Sequence, residues 1–455
     1  MTKDRPVDEI KFITPEPEPA EIPKQPEFYK LPVRFGSVPV DEAPLGWEIV
    51  TRERQTKVTR FQHAYPTIRL PFQEVHRIQF GHSEEFLKQS EKDPKLRELF
   101  PTGANRVFFG DCLHVMRQLP SNSIDLIYVD PPFFSGRNYN VLFGDRNEVR
   151  SFSDIWEGGM PGYLVWLNAR LYEMKRLLKA TGSIYVHLDW HASHYVKAEM
   201  DKVFGFGNFR NEIVWYYANK LPTGGRIFDR HHDSILWYTK SGSWLFNEIR
   251  IEAEYKGTQL VTKKVGGVRV PVMDEATGKQ LRVPSKDKPC GDVWRINMIH
   301  PQSEERIGYP TQKPEDLMER IIAAASNEGD VVADFLCGGG TTPAVAQRLN
   351  RRWIVCDQSR IAVAITADRI TRVVEEKIGK MFAVPDITVE HWGVYEVPRL
   401  EKYSASEFRE FVVKAFGGKP ENVSPHIHGT RHGIPLYVGE PLRTTRLSKE
   451  ECRGV

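Results

Sequence analysis

No run in this chain approaches eighteen consecutive apolar residues, which excludes an ordinary membrane-spanning helix. The first residues, MTKDRPVDEIKF, lack the basic-then-apolar pattern of a secretory signal, so a soluble, cytoplasmic protein is expected. Cysteine is scarce. The five present (Cys112, Cys290, Cys337, Cys356 and Cys452) include no C-x-x-C pair. That argues against a disulfide framework and a structural zinc, and for a reducing compartment. Charge of one sign is also lacking: 63 basic residues stand against 60 acidic ones, net +3, so any nucleic-acid contact has to come from local patches. What remains is ordinary globular material, 40% hydrophobic and 27% charged over 455 residues. The length suggests about three domains, or one large domain with insertions.

Residues 1–30 read as a Pro- and Glu-rich tail, PEPEPAEIPKQPE, with too little apolar surface to order itself. Residues 31–104 form an N-terminal extension without a motif. From Asn105 the text changes. NRVFFG (105–110), IDLIYV (124–129) and SIYVHL (183–188) are short apolar runs of the kind that fully buried parallel strands give. Helical spacing runs over 164–178, with Gly182 as its expected stop, and again over 192–203. EIVWYY (212–217) and SILWY (234–238) leave no room for a helix between them and are expected to pair antiparallel. Residues 241–306 break the rhythm. Strand and helix then alternate from 316 to 375, and 383–455 looks like a small separate unit. Such alternation predicts an α/β fold, a mostly parallel sheet covered on both faces.

Two turns carry chemistry. Asp334-Phe-Leu-Cys-Gly-Gly-Gly-Thr-Thr342 lies between a strand and a helix, where glycines let a ligand approach the backbone and the helix N-terminus offers free amides. Asp357 ends the next strand, about twenty residues on, where an acid can accept both hydroxyls of a ribose. No Gly-Lys-Ser/Thr follows, which excludes a phosphate loop. The ligand read from these residues is adenosine-like, either a dinucleotide or S-adenosylmethionine. The second turn, Asp130-Pro131-Pro132-Phe133, ends the most apolar strand. Its prolines remove two backbone donors, so Asp130 and the Pro131 carbonyl stand as paired acceptors. Paired acceptors suit a planar amino group, which they hold while freeing its lone pair for attack on an electrophilic methyl. Phe133 offers a flat face for stacking an extruded base.

These stretches, GDCLHVMRQLPSNSIDLIYVDPPF (110–133), YPTQKPEDLMERII (309–322) and DFLCGGGTTPAVAQRLNRRWIVCDQS (334–359), resemble the amino-methylating DNA methyltransferases that make N6-methyladenine or N4-methylcytosine. The catalytic motif precedes the cofactor motif, the order of that family's beta group. The resemblance implies a circularly permuted Rossmann-like methyltransferase fold, doubly wound, with an antiparallel strand. It divides the chain into a catalytic half (105–240), a target-recognition insert (241–306) and a cofactor-binding half (307–382). By resemblance, Asp130, Pro131, Pro132 and Phe133 form the catalytic turn. Asp334, Leu336, Gly338, Gly340 and Thr341 belong to the S-adenosylmethionine loop, and Asp357 is the ribose acid. Asp111 takes the place that contacts the cofactor's adenine, while Thr311 and Lys313 flank its methionine end. The family's loop phenylalanine is Leu336 here, which lacks a ring and implies weaker but not lost cofactor binding; its middle serine is Gly339, and Phe133 replaces the commoner tyrosine.

The function implied is methyl transfer from S-adenosylmethionine to the amino group of a flipped base in double-stranded DNA. Adenine N6 is favoured because the turn begins with Asp. Cytosine N4, RNA methylation and a non-catalytic DNA-binding module are the alternatives. Residues 210–306 are rich in Lys and Arg, and Lys220, Arg226, Arg230, Lys263 and Lys264 are the candidate nucleic-acid contacts. The loop 220–233 is the candidate for insertion into a groove. His231 and His232 have no third ligand at suitable spacing, so no metal is expected. A homodimer and a cognate restriction endonuclease are further partners the family suggests.

Overall fold

The computed structural model describes residues 47–52, 55–60, 68–136, 138–142, 149–153, 156, 159–222, 224–252, 258–265, 268–274, 277–284, 287–375, 384–393, 405–415, 418–424, 427–431 and 433–438. The tail expected over residues 1–30 lies outside them. At the centre is a ten-stranded mixed sheet. Its strands, in chain order, are β1 (Phe72–Ile78), β2 (Asn105–Phe109), β3 (Ile124–Val129), β4 (Leu178–Leu188), β5 (Phe209–Tyr216), β6 (His232–Thr239), β7 (Val293–Arg295), β8 (Val331–Asp334), β9 (Arg352–Asp357) and β10 (Ile387–Trp392). They lie in the order β7-β5-β6-β4-β3-β8-β9-β2-β10-β1. Only β6 and β1 run against the rest. The β5–β6 pairing is the antiparallel one the sequence predicts.

The continuous apolar strands are explained by the two faces. Along β3, Ile127 and Val129 enter one core while Leu126 and Tyr128 enter the other, and β8 and β9 alternate in the same way. One face is covered by α1 (Cys112–Met116), α2 (Gly159–Leu177) and α3 (Ser193–Phe204). The other is covered by α4 (Glu315–Ala325), α5 (Thr341–Arg348) and α6 (Arg360–Glu375). This is the doubly wound, permuted arrangement expected. β8 and β9 come late in the chain yet lie mid-sheet, between β3 and β2. Among the described residues no helix is long and apolar enough to cross a membrane.

Three details differ from the sequence reading. Gly182 does not end α2; it lies inside β4, where a Cβ would come within 3.0 Å of the Asp125 carbonyl oxygen and of Leu178 Cδ2. Close packing, and not a helix cap, accounts for that glycine. Next, the sheet does not stop at residues 104 and 383. β10 pairs parallel with β2 and antiparallel with β1, so the N-terminal extension and the C-terminal segment each contribute an outer strand. The rest of the C-terminal segment includes a helix, Ala405–Ala415, and a three-stranded antiparallel sheet over 419–436. Finally, the insert is an arm of short antiparallel ladders (250–252 with 287–289, 258–260 with 282–284, 262–265 with 268–271), and its last strand, β7, returns to the sheet beside β5.

A buried ion pair fastens β10 to β2. Arg106 donates from Nε to Glu390 at 2.7 Å and from Nη1 to the Leu99 carbonyl at 3.0 Å. Its guanidinium also lies 4.5 Å over the Phe108 ring. Removing one partner of such a pair leaves the other charge uncompensated. Arg106→Met should therefore cost about 3–5 kcal/mol in chemical denaturation followed by tryptophan fluorescence. The double variant Arg106→Met, Glu390→Met should recover much of that loss. Equal stability of the single variant and the parent would detach β10 from the sheet.

Candidate active site

β3 and β8 are neighbours, pairing Leu126 with Val332 and Ile127 with Ala333, so their carboxyl ends open side by side. The Asp130 turn leaves one and the glycine loop leaves the other. Between them lies a cavity with about 970 Å³ of empty space, part of it open to solvent. Its wall includes Asp130, Pro131, Pro132, Phe133, Thr311, Lys313, Asp334, Leu336, Gly338, Thr341 and Asp357. Crevices beyond the carboxyl ends of adjacent parallel strands, where helices leave to opposite faces, are the usual ligand sites of open α/β sheets.

Each half of the wall is held by its own sequence. Gly338 and Gly340 adopt positive φ of 49° and 72°. At Gly340 a Cβ would meet Thr366 Oγ1 at 2.7 Å, and at Gly339 it would meet Ile307 Cδ1 at 2.9 Å. Gly339 thus lets the loop press against the 307–309 segment, and the missing serine has a packing reason. Asp334, almost fully buried, accepts from Leu336 N at 3.1 Å and from Thr342 Oγ1 at 2.5 Å. Asp357 accepts from Gly338 N at 2.9 Å and Ser359 N at 2.8 Å, which leaves lone pairs on both oxygens for a ligand. Thr341 Oγ1 donates to the Lys313 carbonyl at 3.1 Å and accepts from Arg369 at 2.9 Å, tying the 309–314 segment to α5.

Lys313 lies in this same wall; its ammonium is ion-paired with Asp130 and lies 5.3 Å from the Phe133 ring centroid. The second Asp130 oxygen, Oδ1, is buried and makes no hydrogen bond among the described residues. The nearest imidazole nitrogen, His187 Nδ1, is 4.0 Å away. Fully buried His187 lies 2.8 Å from the Tyr128 hydroxyl and 3.2 Å from Asp233. Burial alone would raise the Asp233 carboxyl, but its bond to His187, the charge of Lys313 and the Tyr217 hydroxyl hold it below the ordinary value.

Two of the candidates fall outside the wall. Asp111 caps α1, accepting from Leu113 N at 2.8 Å, and takes both of its oxygens to Arg170 at 2.8 and 2.9 Å. Gly340 serves as the left-handed N-cap of α5. Of the basic candidates, Lys220, Arg226 and Arg230 lie on the loop between β5 and β6, and Lys263 and Lys264 are exposed on the hairpin arm. Sequence reasoning missed Tyr309, Gln312, Gln358 and Ser359 in the wall, and His187 and Asp233 behind Asp130. Four of these lie within the motif text, so the signal was present. His187 and Asp233 sit in strands, outside the quoted motifs.

The wall carries three acids, Asp130, Asp334 and Asp357, against one base, Lys313. Burial pushes the Asp334 carboxyl up to about 7, with the charges of Asp130 and Asp357 adding to the rise. Burial also raises Asp357, opposed by the amides of Ser359, Gly338 and Gln358. An excess of buried carboxylate fits a cationic ligand, and S-adenosylmethionine carries a sulfonium and an ammonium.

A family model for DNA methylases of the N6/N4 type matches residues 124–368. The type II methyltransferase M.BglII of Bacillus subtilis is 30% identical over 260 residues, 54% of this chain and 63% of its own length. M.HpaI of Haemophilus parainfluenzae, also a type II methyltransferase, is 30% identical over 268 residues, 58% of this chain and 74% of its own. The DNA adenine methyltransferase YhdJ of Escherichia coli K12 is 28% identical over 294 residues, 62% of this chain and 92% of its own. The match therefore spans just under two thirds of the M.BglII relative.

The Asp334 shift gives a pH test. A carboxyl raised above its ordinary 3.8 favours the protonated folded form, so its stabilising contribution is lost as pH rises through about 7. A cation in the cavity favours the ionised form. The affinity for S-adenosylmethionine should therefore rise roughly three- to tenfold between pH 6 and pH 8, with proton release on binding. Titration calorimetry in two buffers of different ionisation enthalpy reads both quantities. In Asp334→Asn the rise and the release should largely vanish; an unchanged pH slope would assign the proton to another group.

Proposed function

The chain belongs to the N6/N4 DNA methylase family, S-adenosylmethionine-dependent enzymes that methylate amino groups of DNA bases, and from that premise we propose that its target is adenine N6. The reading rests on the turn itself: Asp130, whose buried Oδ1 makes no hydrogen bond among the described residues, on one wall of a cavity whose other wall is the glycine loop. Adenine is supported by the leading Asp of the turn and by the name of the relative YhdJ. Cytosine N4 is the second reading, since the same pair of acceptors fits either amine.

In this reading Asp357, Gln358 and Ser359 take the ribose end of S-adenosylmethionine, and the backbone at Gly338 and Gly339 lets the molecule lie close. When bound, it supplies an electrophilic methyl on sulfur. Asp130 Oδ1 and the Pro131 carbonyl accept the two N–H bonds of the target amine, and Phe133 stacks on the base. Lys313 fixes Asp130 through the other carboxylate oxygen, so the acceptor does not swing. The attacking lone pair forms the N–C bond as the C–S bond breaks, its electrons staying on sulfur. One amine proton then passes to Asp130 and on to water. The target extruded into this cavity comes from duplex DNA held by the 241–306 arm, whose Lys263, Lys264 and Arg269 are exposed.

The test is sequencing of DNA from a methylation-free host expressing the chain, which reads product and site together. N6-methyladenine at a fixed sequence is expected; N4-methylcytosine would move the assignment to the second reading, and unmodified DNA would overturn both. Asp130→Asn should cut methyl incorporation from labelled S-adenosylmethionine by roughly 10²–10³-fold while cofactor binding in calorimetry stays within about threefold. Near-parent turnover in that variant would remove Asp130 from the chemistry.

A further inference from the structure

The loop 217–231 joins β5 to β6 and leaves the sheet at the same edge as Asp130. Ser234 of β6 pairs with Leu188 at the carboxyl end of β4, and β4 runs parallel to β3. Two strand spacings, about 10 Å, separate β6 from β3. The legs of the loop are tied. Tyr217 N donates to the His231 carbonyl at 2.9 Å, and Lys220 Nζ donates to the Arg230 carbonyl at 2.7 Å. The Arg230 guanidinium lies 3.9 Å over the ring of Trp190, just past the end of β4. Asp233, at the foot of the loop, reaches the catalytic turn through His187.

What these tied legs present to water is apolar: Leu221 is 82% exposed, Ile227 66% and Phe228 99%. Large apolar side chains exposed to solvent on one loop mark a contact surface. Lys220, Arg226 and Arg230 surround them, with Asp229 as the acid among them, so the complementary surface is a polyanion. A surface that is both polyanionic and able to receive an aromatic ring is a base stack.

We propose that Phe228, backed by Ile227, is a wedge that enters the duplex beside the target and fills the space left by the extruded base. This deepens, and rests on, the reading of the chain as a DNA methyltransferase. Extrusion costs the target its stacking, and an inserted ring restores stacking to the neighbours left behind. The anchored legs place that ring at the edge where the amine acceptors wait.

The test uses duplexes carrying the site found by sequencing or, if host DNA bears no mark, random-sequence duplexes containing 2-aminopurine. Phe228→Ala should lower kcat/KM on a fully paired duplex roughly 10- to 100-fold. On a duplex whose target stands opposite an abasic position, the variant should come within about threefold of the parent. Phe228→Trp should behave as the parent on both. Equal losses on the two duplexes, or none on either, overturn the wedge. So does a change in oligomeric state with methylation intact, which would make the patch a contact between copies. Fluorescence of 2-aminopurine reads unstacking without methyl transfer: it should rise with the parent and not with Phe228→Ala. An inactive parent that still unstacks the base refutes the enzymatic reading and leaves the wedge standing.

Discussion

The pairing of β3 with β8 is the constraint from which the site follows. These strands are about two hundred residues apart in sequence, and the junction is stitched at its start by Val331 N donating to Asp125 at 2.9 Å. Lys179 holds the same carboxylate at 2.8 Å. The register is fixed because both strands are buried on both faces; a slip of one residue would send every side chain to the wrong core. With the register set, the prolines after Val129 and the glycines after Asp334 have to open into one crevice. Neither turn makes a site without the other.

Electrostatics then shape what that crevice accepts. Asp334 and Asp357 are each partly satisfied by backbone amides of their own loops, which holds the loops in shape while leaving acidic character in the wall. Lys313 pairs with Asp130, from a segment bound to α5 through Thr341. The outcome is a pocket whose glycine-loop side is net acidic and whose Asp130 side is charge-balanced. In the proposed function, a neutral base and a positively charged donor are matched to different walls of one space.

Much of this was legible in the sequence because each feature has a local signature. The apolar runs of β3, β8 and β9 announce two-sided burial, and the proline pair and glycine triplet announce their turns. What was not legible depends on partners distant in the chain. Asp111 follows a strand and matches a cofactor position, yet only the fold reveals Arg170 at its carboxylate. Lys313 is named by its motif, yet only the fold shows its ammonium paired with Asp130. Gly182 carries the same letter whether it caps a helix or sits where a methyl group would strike the next strand. The outer strands β1 and β10 lie beyond the motif-bearing stretch, and nothing in their periodicity distinguishes the edge of this sheet from a separate unit.

The permuted strand order also dictates how the sheet is completed during synthesis. Of the central strands β2 and β3 emerge first, but the two that belong between them, β8 and β9, are made some two hundred residues later. Until then the facing edges of β2 and β3 display bare peptide groups and apolar side chains with no native partner on those sides. The Asp130 turn has been made at this stage, but the glycine loop has not. In the proposed function, a half-made chain therefore carries no place for the reagent, and chemistry waits until the last central strands slot home.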